Sequence, residues 1–202
     1  MISKSNKLFF LAGIIGPVFY FLLLTILGLL WNGYNPILQS MSEIGSVVSP
    51  YKEMMNYFGF SMLGIFMTLF GVGVLREFGK GILQYLAFSL ILAAGIFMFA
   101  VGFFPCDAGC IDVTSTGRWH STTSTVPSIA LPLSAMIIAA VLAGRWGKRW
   151  GHISFWLGVF SMASGPTMFI PVIAPYLGFV QRMGIGLSLL WMVLISAKTL
   201  KE

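Results

Sequence analysis

Six apolar runs, each long enough to cross a lipid bilayer, dominate this chain: Leu8–Trp31, Met55–Leu75, Ile82–Phe104, Ser124–Gly144, Ile153–Ile173 and Phe179–Ala197. An α-helix rises about 1.5 Å per residue, so roughly 17–25 residues span a hydrocarbon core about 30 Å thick. A chain of 202 residues that is 57% hydrophobic and 9% charged has too little polar surface to dissolve as a water-soluble domain. Ordinary globular chains are only about 45–50% apolar. Lipid admits structures whose backbone groups pair internally, and the runs show no strand periodicity. The expected fold is all-α: a polytopic membrane protein, one six-transmembrane-helix bundle over residues 1–202. Lys4 and Lys7 before the first run imitate a secretion signal. That run exceeds the roughly 7–15 apolar residues of a signal, and no small-residue cleavage site follows it, so it reads as a permanent helix.

The cations orient the bundle. With the N-terminus inside, Lys4, Lys7, Arg76, Lys80, Arg145, Lys148, Arg149, Lys198 and Lys201 face the cytoplasm, and only Lys52, Arg118 and Arg182 face outward. This positive-inside bias puts both termini in the cytoplasm and segments 32–54, 105–123 and 174–178 outside. Trp31 and Trp119 at one boundary, with Trp146 and Trp150 at the other, suit the interfacial aromatic belts. The formal net charge of +6 is then a topology signal with some attraction for anionic head groups, and no nucleic-acid footprint accompanies it. The expected setting is the plasma membrane and the expected partner is membrane lipid. The sequence leaves homo-oligomer formation open.

The scarce polar chemistry gathers on the outward side. "YNPILQSMSEIGSVVSP" has Asn35 and Pro36 as a helix start and apolar residues near helical spacing, which predicts a short amphipathic helix over 36–48 at the interface. "FFPCDAGCIDVTSTGRWH" holds Cys106 and Cys110, Asp107, Asp112, Arg118 and His120. A structural disulfide across C-x-x-x-C, eased by Gly109 and fixing the direction of Asp107, stands beside metal-ligating and redox alternatives. His120, Ser124 and Ser128 share one face of the fourth helix, which Pro127 and Pro132 interrupt. Arg182, beside Gln181, lies in the first turn of the last run, where a cation either finds an internal acid, Glu43 and Asp107 first and Asp112 and Glu53 after, or snorkels to the outer head groups. "SMASGPTMF" at 161–169 is a polar interruption that would floor a cavity open to the outside.

Ser42, Glu43, Asp107, His120, Ser124, Gln181 and Arg182 thus form one candidate outward pocket. Glu43, Asp107 and His120 are its candidate catalytic groups and the candidate ligands of a divalent metal of the oxygen-preferring kind. No P-loop, dinucleotide, zincin or nucleophile-elbow motif is present.

The motifs "SMSEIG", "GFFPCDAGC", a His opening the fourth helix and "GFVQRMGIG" resemble the DUF998 family of six-helix prokaryotic membrane proteins, over essentially the whole chain. The resemblance implies that Ser42, Glu43, Asp107, His120 and Arg182 occupy the family's polar positions, and it implies no activity. A likeness to DRAM-type eukaryotic membrane proteins rests on topology alone. Three functions follow. The first is a non-enzymatic membrane protein whose outward pocket binds a lipid head group or small amphiphile. The second is an intramembrane lipid hydrolase or transferase using Glu43, Asp107 and His120. The third, a transporter, is disfavoured by the near absence of charge in the inner halves of the helices.

Overall fold

The computed structural model describes residues 4–79 and 81–202; Lys80 and the side chain of Lys4, two of the expected cytoplasmic cations, lie outside the described residues. The chain folds into six long helices, α1 (Lys4–Leu30), α2 (Met62–Phe78), α3 (Ile82–Val101), α4 (Ser115–Trp146), α5 (Lys148–Thr167) and α6 (Leu177–Leu200). A π-helical segment, Met54–Ser61, leads directly into α2. Each helix packs on its neighbours in sequence, and α6 returns to α1, so the six close into a ring. Gly79 (φ +91°) and Gly147 (φ +90°) turn the chain at the ends of α2 and α4. Both lie in a backbone region that is essentially glycine's alone.

The exposed faces show what surrounds this ring. Along α1, Leu8, Leu11, Ile15, Leu22, Ile26 and Leu29 point outward, while Phe10, Tyr20, Leu24 and Leu27 are buried. That is helical periodicity with both faces apolar, the mark of a helix solvated by lipid. Among the described residues five helices are long and apolar enough to cross a membrane: Asn6–Leu30, Met54–Phe78, Ile82–Val101, Ser115–Trp146 and Ala174–Leu200.

The expected span Ile153–Ile173 is the one that differs. The helix α5 stops at Thr167, just after Pro166, and 168–173 run on as turns. Its buried face is built of Ser154, Gly158 and Ser161, which dilutes its apolar character.

The expected amphipathic helix over 36–48 is also corrected. Asn35 Oδ1 accepts from Ile37 N at 3.0 Å and closes a single turn. Ser40 is extended (ψ 156°), and a separate 3-10 helix, Met41–Gly45, follows. The break lets Met41 and Ile44 plug the ring, fully buried, while Ile37 and Leu38 stay exposed.

One end of the bundle is an ion-pair cluster. Arg145 reaches Glu77 at 2.8 Å and Glu202 at 2.7 Å, and Asn6 Nδ2 donates to Glu77 at 3.1 Å. The start of α1, the ends of α2 and α4 and the end of α6 therefore meet there. The remaining acids, Glu43, Glu53, Asp107 and Asp112, sit in the segments of the opposite end.

Close approach of α2 and α3 depends on two glycines. A Cβ on Gly64 would stand 2.3 Å from Phe99 N, and one on Gly95 would stand 2.8 Å from Thr68 N. Backbone cannot yield as a side chain does, so overpacking there costs about 1–3 kcal/mol or more. Gly64→Val and Gly95→Val are expected to lower the thermal midpoint of the detergent-solubilised protein. Gly144→Val, with nothing within 4 Å, should leave it near wild type.

Candidate functional site

The end of the bundle opposite the Arg145 cluster is capped by two loops knitted together. Glu43 Oε1 accepts from Ser40 N at 2.9 Å, and its Oε2 accepts from Gln39 Nε2 at 2.9 Å. Cys106 and Cys110 are joined by a disulfide with Cα atoms 4.9 Å apart. That small ring uses left-handed backbone at Gly109 (φ +66°) and Cys110 (φ +53°), which Gly109 accommodates without steric cost. Val47 N donates to Cys106 O at 3.0 Å, Ser40 Oγ to Cys110 Sγ at 3.7 Å, and Cys106 Sγ lies 3.4 Å from Ser42 O. The disulfide ring is thus a lid over the 40–47 segment.

Arg182 ties this cap to α6 in a way the sequence did not announce. Its Nη1 donates to Pro36 O (2.6 Å), Gln39 O (3.1 Å) and Gly178 O (2.9 Å), and its Nη2 donates to the Tyr34 hydroxyl. The Tyr34 hydroxyl in turn donates to Ser40 O at 2.8 Å. Burial holds the phenol above its usual pKa of 10.0, outweighing the neighbouring guanidinium. The expected ion pair with Glu43 or Asp107 does not form: among the described residues no carboxylate comes within 4.0 Å of Arg182. Three carbonyls and a phenol take the place of an acid, a role that guanidinium's fixed fork of donors suits. Next to it, Gln181 Oε1 accepts from Met41 N at 2.7 Å.

Asp107 and His120 build the start of α4. Asp107 Oδ2 accepts from Val113 N (2.9 Å) and Thr114 N (2.8 Å), and its Oδ1 from Thr114 Oγ1 (2.8 Å). Thr114 then caps α4 by accepting from Gly117 N at 3.0 Å. Gly117 has to be small, since a Cβ there would lie 2.1 Å from Asp107 Oδ2. These bonds, the Thr114 ones foremost, hold the Asp107 carboxyl below its usual 3.8. His120 is 2% exposed. Its Nδ1 donates to Phe104 O at 2.7 Å, and the ring meets Phe60 edge-on at 6.2 Å.

The structure therefore divides the seven sequence candidates. Glu43, Gln181 and Arg182 gather on the 34–43 segment, and Asp107 and His120 on the entry to α4. Ser42 lies against the disulfide and bridges the two groups. Ser124 lines a separate cavity. The expected divalent metal is overturned, because among the described residues no group of three His, Cys, Asp or Glu side chains could hold an ion. The cause is visible bond by bond: the oxygens of Glu43 and Asp107 accept from cap donors.

Between α4, α5 and α6, in the half of the bundle beneath the cap, lies a cavity of about 650 Å³ that opens to the surface past Thr125, Ser128, Ile129 and Phe169. Ser124, Thr125 and Ser128 of α4, Ser161 and Ser164 of α5 and Ser188 of α6 give it polar patches; Leu63, Met67, Met98, Met162, Ile185 and Leu189 make most of the wall apolar. Gln181 stands at its upper edge, directly under the cap. Below it the wall closes through a buried chain in which Trp191 Nε1 donates to Ser154 Oγ (2.7 Å) and Ser154 Oγ to Ala135 O (2.6 Å). Sequence reasoning placed Ser161, Ser164 and Pro166 at a cavity floor. It missed the contributions of α2 and α3, whose methionines carry no signal distinguishing cavity wall from packed core.

Fold and exposed faces define a polytopic α-helical membrane protein with a cap at one end and a cavity beneath it. The chain belongs to the family described as Protein of unknown function (DUF998), which it matches over residues 14–198. No curated protein and no solved structure matches it.

Two outcomes follow from the cap. Because folding depresses the Asp107 pKa, the unfolded loop binds the proton more readily. Its stabilisation is whole above pH 3.8 and fades as pH falls toward the folded value. Amide protection factors over residues 107–117 should fall in acid, and Asp107→Asn should show the lower protection already at neutral pH. Arg182→Lys keeps the charge but not the fork, and should cost about 2 kcal/mol through lost charge-assisted bonds. Exchange over 34–43 should rise in that variant while the α2–α3 hairpin is unchanged.

Proposed function

We propose that this chain is a six-span protein of the plasma membrane with both termini cytoplasmic. Its cavity binds a membrane lipid or small amphiphile without catalysis, and the head group lies toward Gln181. The observation that carries this reading is the cavity of about 650 Å³, within the roughly 300–1,000 Å³ of small-molecule sites. Its wall is mostly apolar with a few hydroxyls, a surface suited to an acyl chain.

The sixth span is α5. Its outward residues Phe155, Trp156 and Phe160 are exposed, as lipid contact requires, while its small polar residues face the ring. The positive-inside count supports the orientation. Ser124 and Gln181 are assigned to ligand contact and Arg182 to the seat of the cap. Ser42, Glu43, Asp107 and His120 are assigned to holding the cap that defines the upper wall. A hydrolase would need Glu43, Asp107 and His120 around one reacting centre, and their hydrogen bonds go instead to separate parts of the cap.

Native mass spectrometry of the gently extracted protein tests this. Wild type should retain a stoichiometric adduct of lipid mass. Thr125→Phe and Ser128→Phe, which fill the cavity from hydroxyls bonded only within α4, should lose it while keeping the helical content. Wild type free of adduct, or an adduct indifferent to both substitutions, would overturn the reading.

A further inference from the structure

Resting on the cavity as an amphiphile site, we infer that its occupant is a neutral amphiphile whose head group carries hydroxyl or amide protons. Charged lipids are refused. The ground is a count of donors and acceptors on the wall.

Every wall hydroxyl has already given its proton to the protein. Thr125 Oγ1 donates to Ser121 O (2.7 Å), Ser124 Oγ to Ser121 O (3.2 Å) and Ser128 Oγ to Ser124 O (2.9 Å). Ser164 Oγ donates to Ser161 O (2.7 Å) and Ser161 Oγ to Gly184 O (2.6 Å). Ser188 Oγ stands 2.7 Å from Ser161 Oγ, whose single proton is committed, so Ser188 is the donor there. A hydroxyl has one proton but two lone pairs. These residues therefore present acceptors to the cavity and no free donors.

Two prolines extend the pattern. Pro132 and Pro166 lack an N–H, so the carbonyls of Ser128 and Met162, four residues earlier on wall-lining positions, lose their helical donors. The exception is Gln181. Its Oε1 is held by Met41 N, which leaves the amide Nε2 as the donor at the upper edge.

No Lys, Arg, His, Asp or Glu lines the cavity among the described residues. A phosphate or carboxylate drawn into it would find lone pairs facing lone pairs. An ammonium there would find acceptors but no counter-charge. Both carry the large cost of an unpaired charge in an apolar setting. A glycerol-type or amide head group fits instead: its protons go to the serine oxygens and freed carbonyls, and its carbonyl oxygen accepts from Gln181 Nε2.

The full-length protein in detergent can be tested with four probes sharing one oleoyl chain: monooleoylglycerol, oleamide, oleoyl lysophosphatidate and oleylamine. Native mass spectrometry should show the two neutral probes bound about tenfold or more over the charged ones, the discrimination expected from leaving a buried charge unpaired. Ser128→Phe should abolish their binding. Ser128→Lys, which adds donors and a cation to the wall, should shift preference toward lysophosphatidate. Lysophosphatidate or oleylamine bound as well as the neutral probes, and displaced by Ser128→Phe, would overturn the neutral class and leave the amphiphile site standing. Binding of none of the four, or binding that survives both Ser128→Phe and Thr125→Phe, would overturn the amphiphile site itself.

Discussion

In a lipid environment a proton donor inside the protein has only the protein to give its proton to. Water is absent from the hydrocarbon, and an unpaired donor or acceptor there costs several kcal/mol. Most of the architecture around the cavity can be traced to that rule. The serines of α4 and α5 spend their protons on carbonyls of their own helix or its neighbour. Arg182 enters at the outer turn of α6 and collects three carbonyls and a phenol. Two of those carbonyls, Pro36 O and Gln39 O, are within its reach because the 34–39 segment is a turn rather than a helix, and the third, Gly178 O, belongs to α6 itself. The irregular cap and this cation thus solve each other's problem.

The same rule explains how much of the molecule was legible in its sequence. Spans were legible because length and composition are what the bilayer constrains, and five of the six runs have helices long and apolar enough to cross. The C-x-x-x-C pair was legible as a candidate disulfide, beside metal and redox alternatives, from its expected outward placement and from Gly109 between the cysteines. The partner of Arg182 was not, because Pro36 O, Gln39 O and Gly178 O are backbone atoms that no residue letter marks. The search for acids nearby led to Glu43 and Asp107, and from there to a metal site that does not exist among the described residues. Each of those carboxylates satisfies N–H groups within a few residues of itself or across one turn. Local backbone demand outcompeted the long-range pairing that charge alone suggested.

The helix α5 fails by the opposite route. Hydropathy averages a helix over its circumference, and α5 divides its faces sharply. Phe155, Trp156 and Phe160 point outward, while Ser154, Gly158 and Ser161 are buried. Ser154 relays Trp191 to Ala135, and Ser161 relays Ser188 to Gly184, so the polar residues that lower its average are the ones fastening α5 to α4 and α6. Small polar residues at helix interfaces permit close approach and interhelical bonds. An apolar average therefore counts against α5 the very residues that fasten it to its neighbours.

One face of α6 carries this reasoning to the relation between cap and cavity. Gly178, Gln181, Arg182 and Ile185 follow the i, i+3, i+4, i+7 rule and lie on the same side. A Cβ on Gly178 would come within 2.1 Å of Gln39 O, so the cap backbone rests directly on the helix. One turn on, Arg182 grips that backbone by its carbonyls, and Gln181 grips Met41 N while its amide edges the cavity. Ile185 is already cavity wall. On an adjoining face Gly184 admits α5 so closely that a Cβ would stand 1.9 Å from Ser164 Oγ. The outer two turns of α6 thus set the seat of the cap and the width of the cavity together. A displacement of the cap cannot occur without disturbing Gln181, the one wall residue with protons to offer.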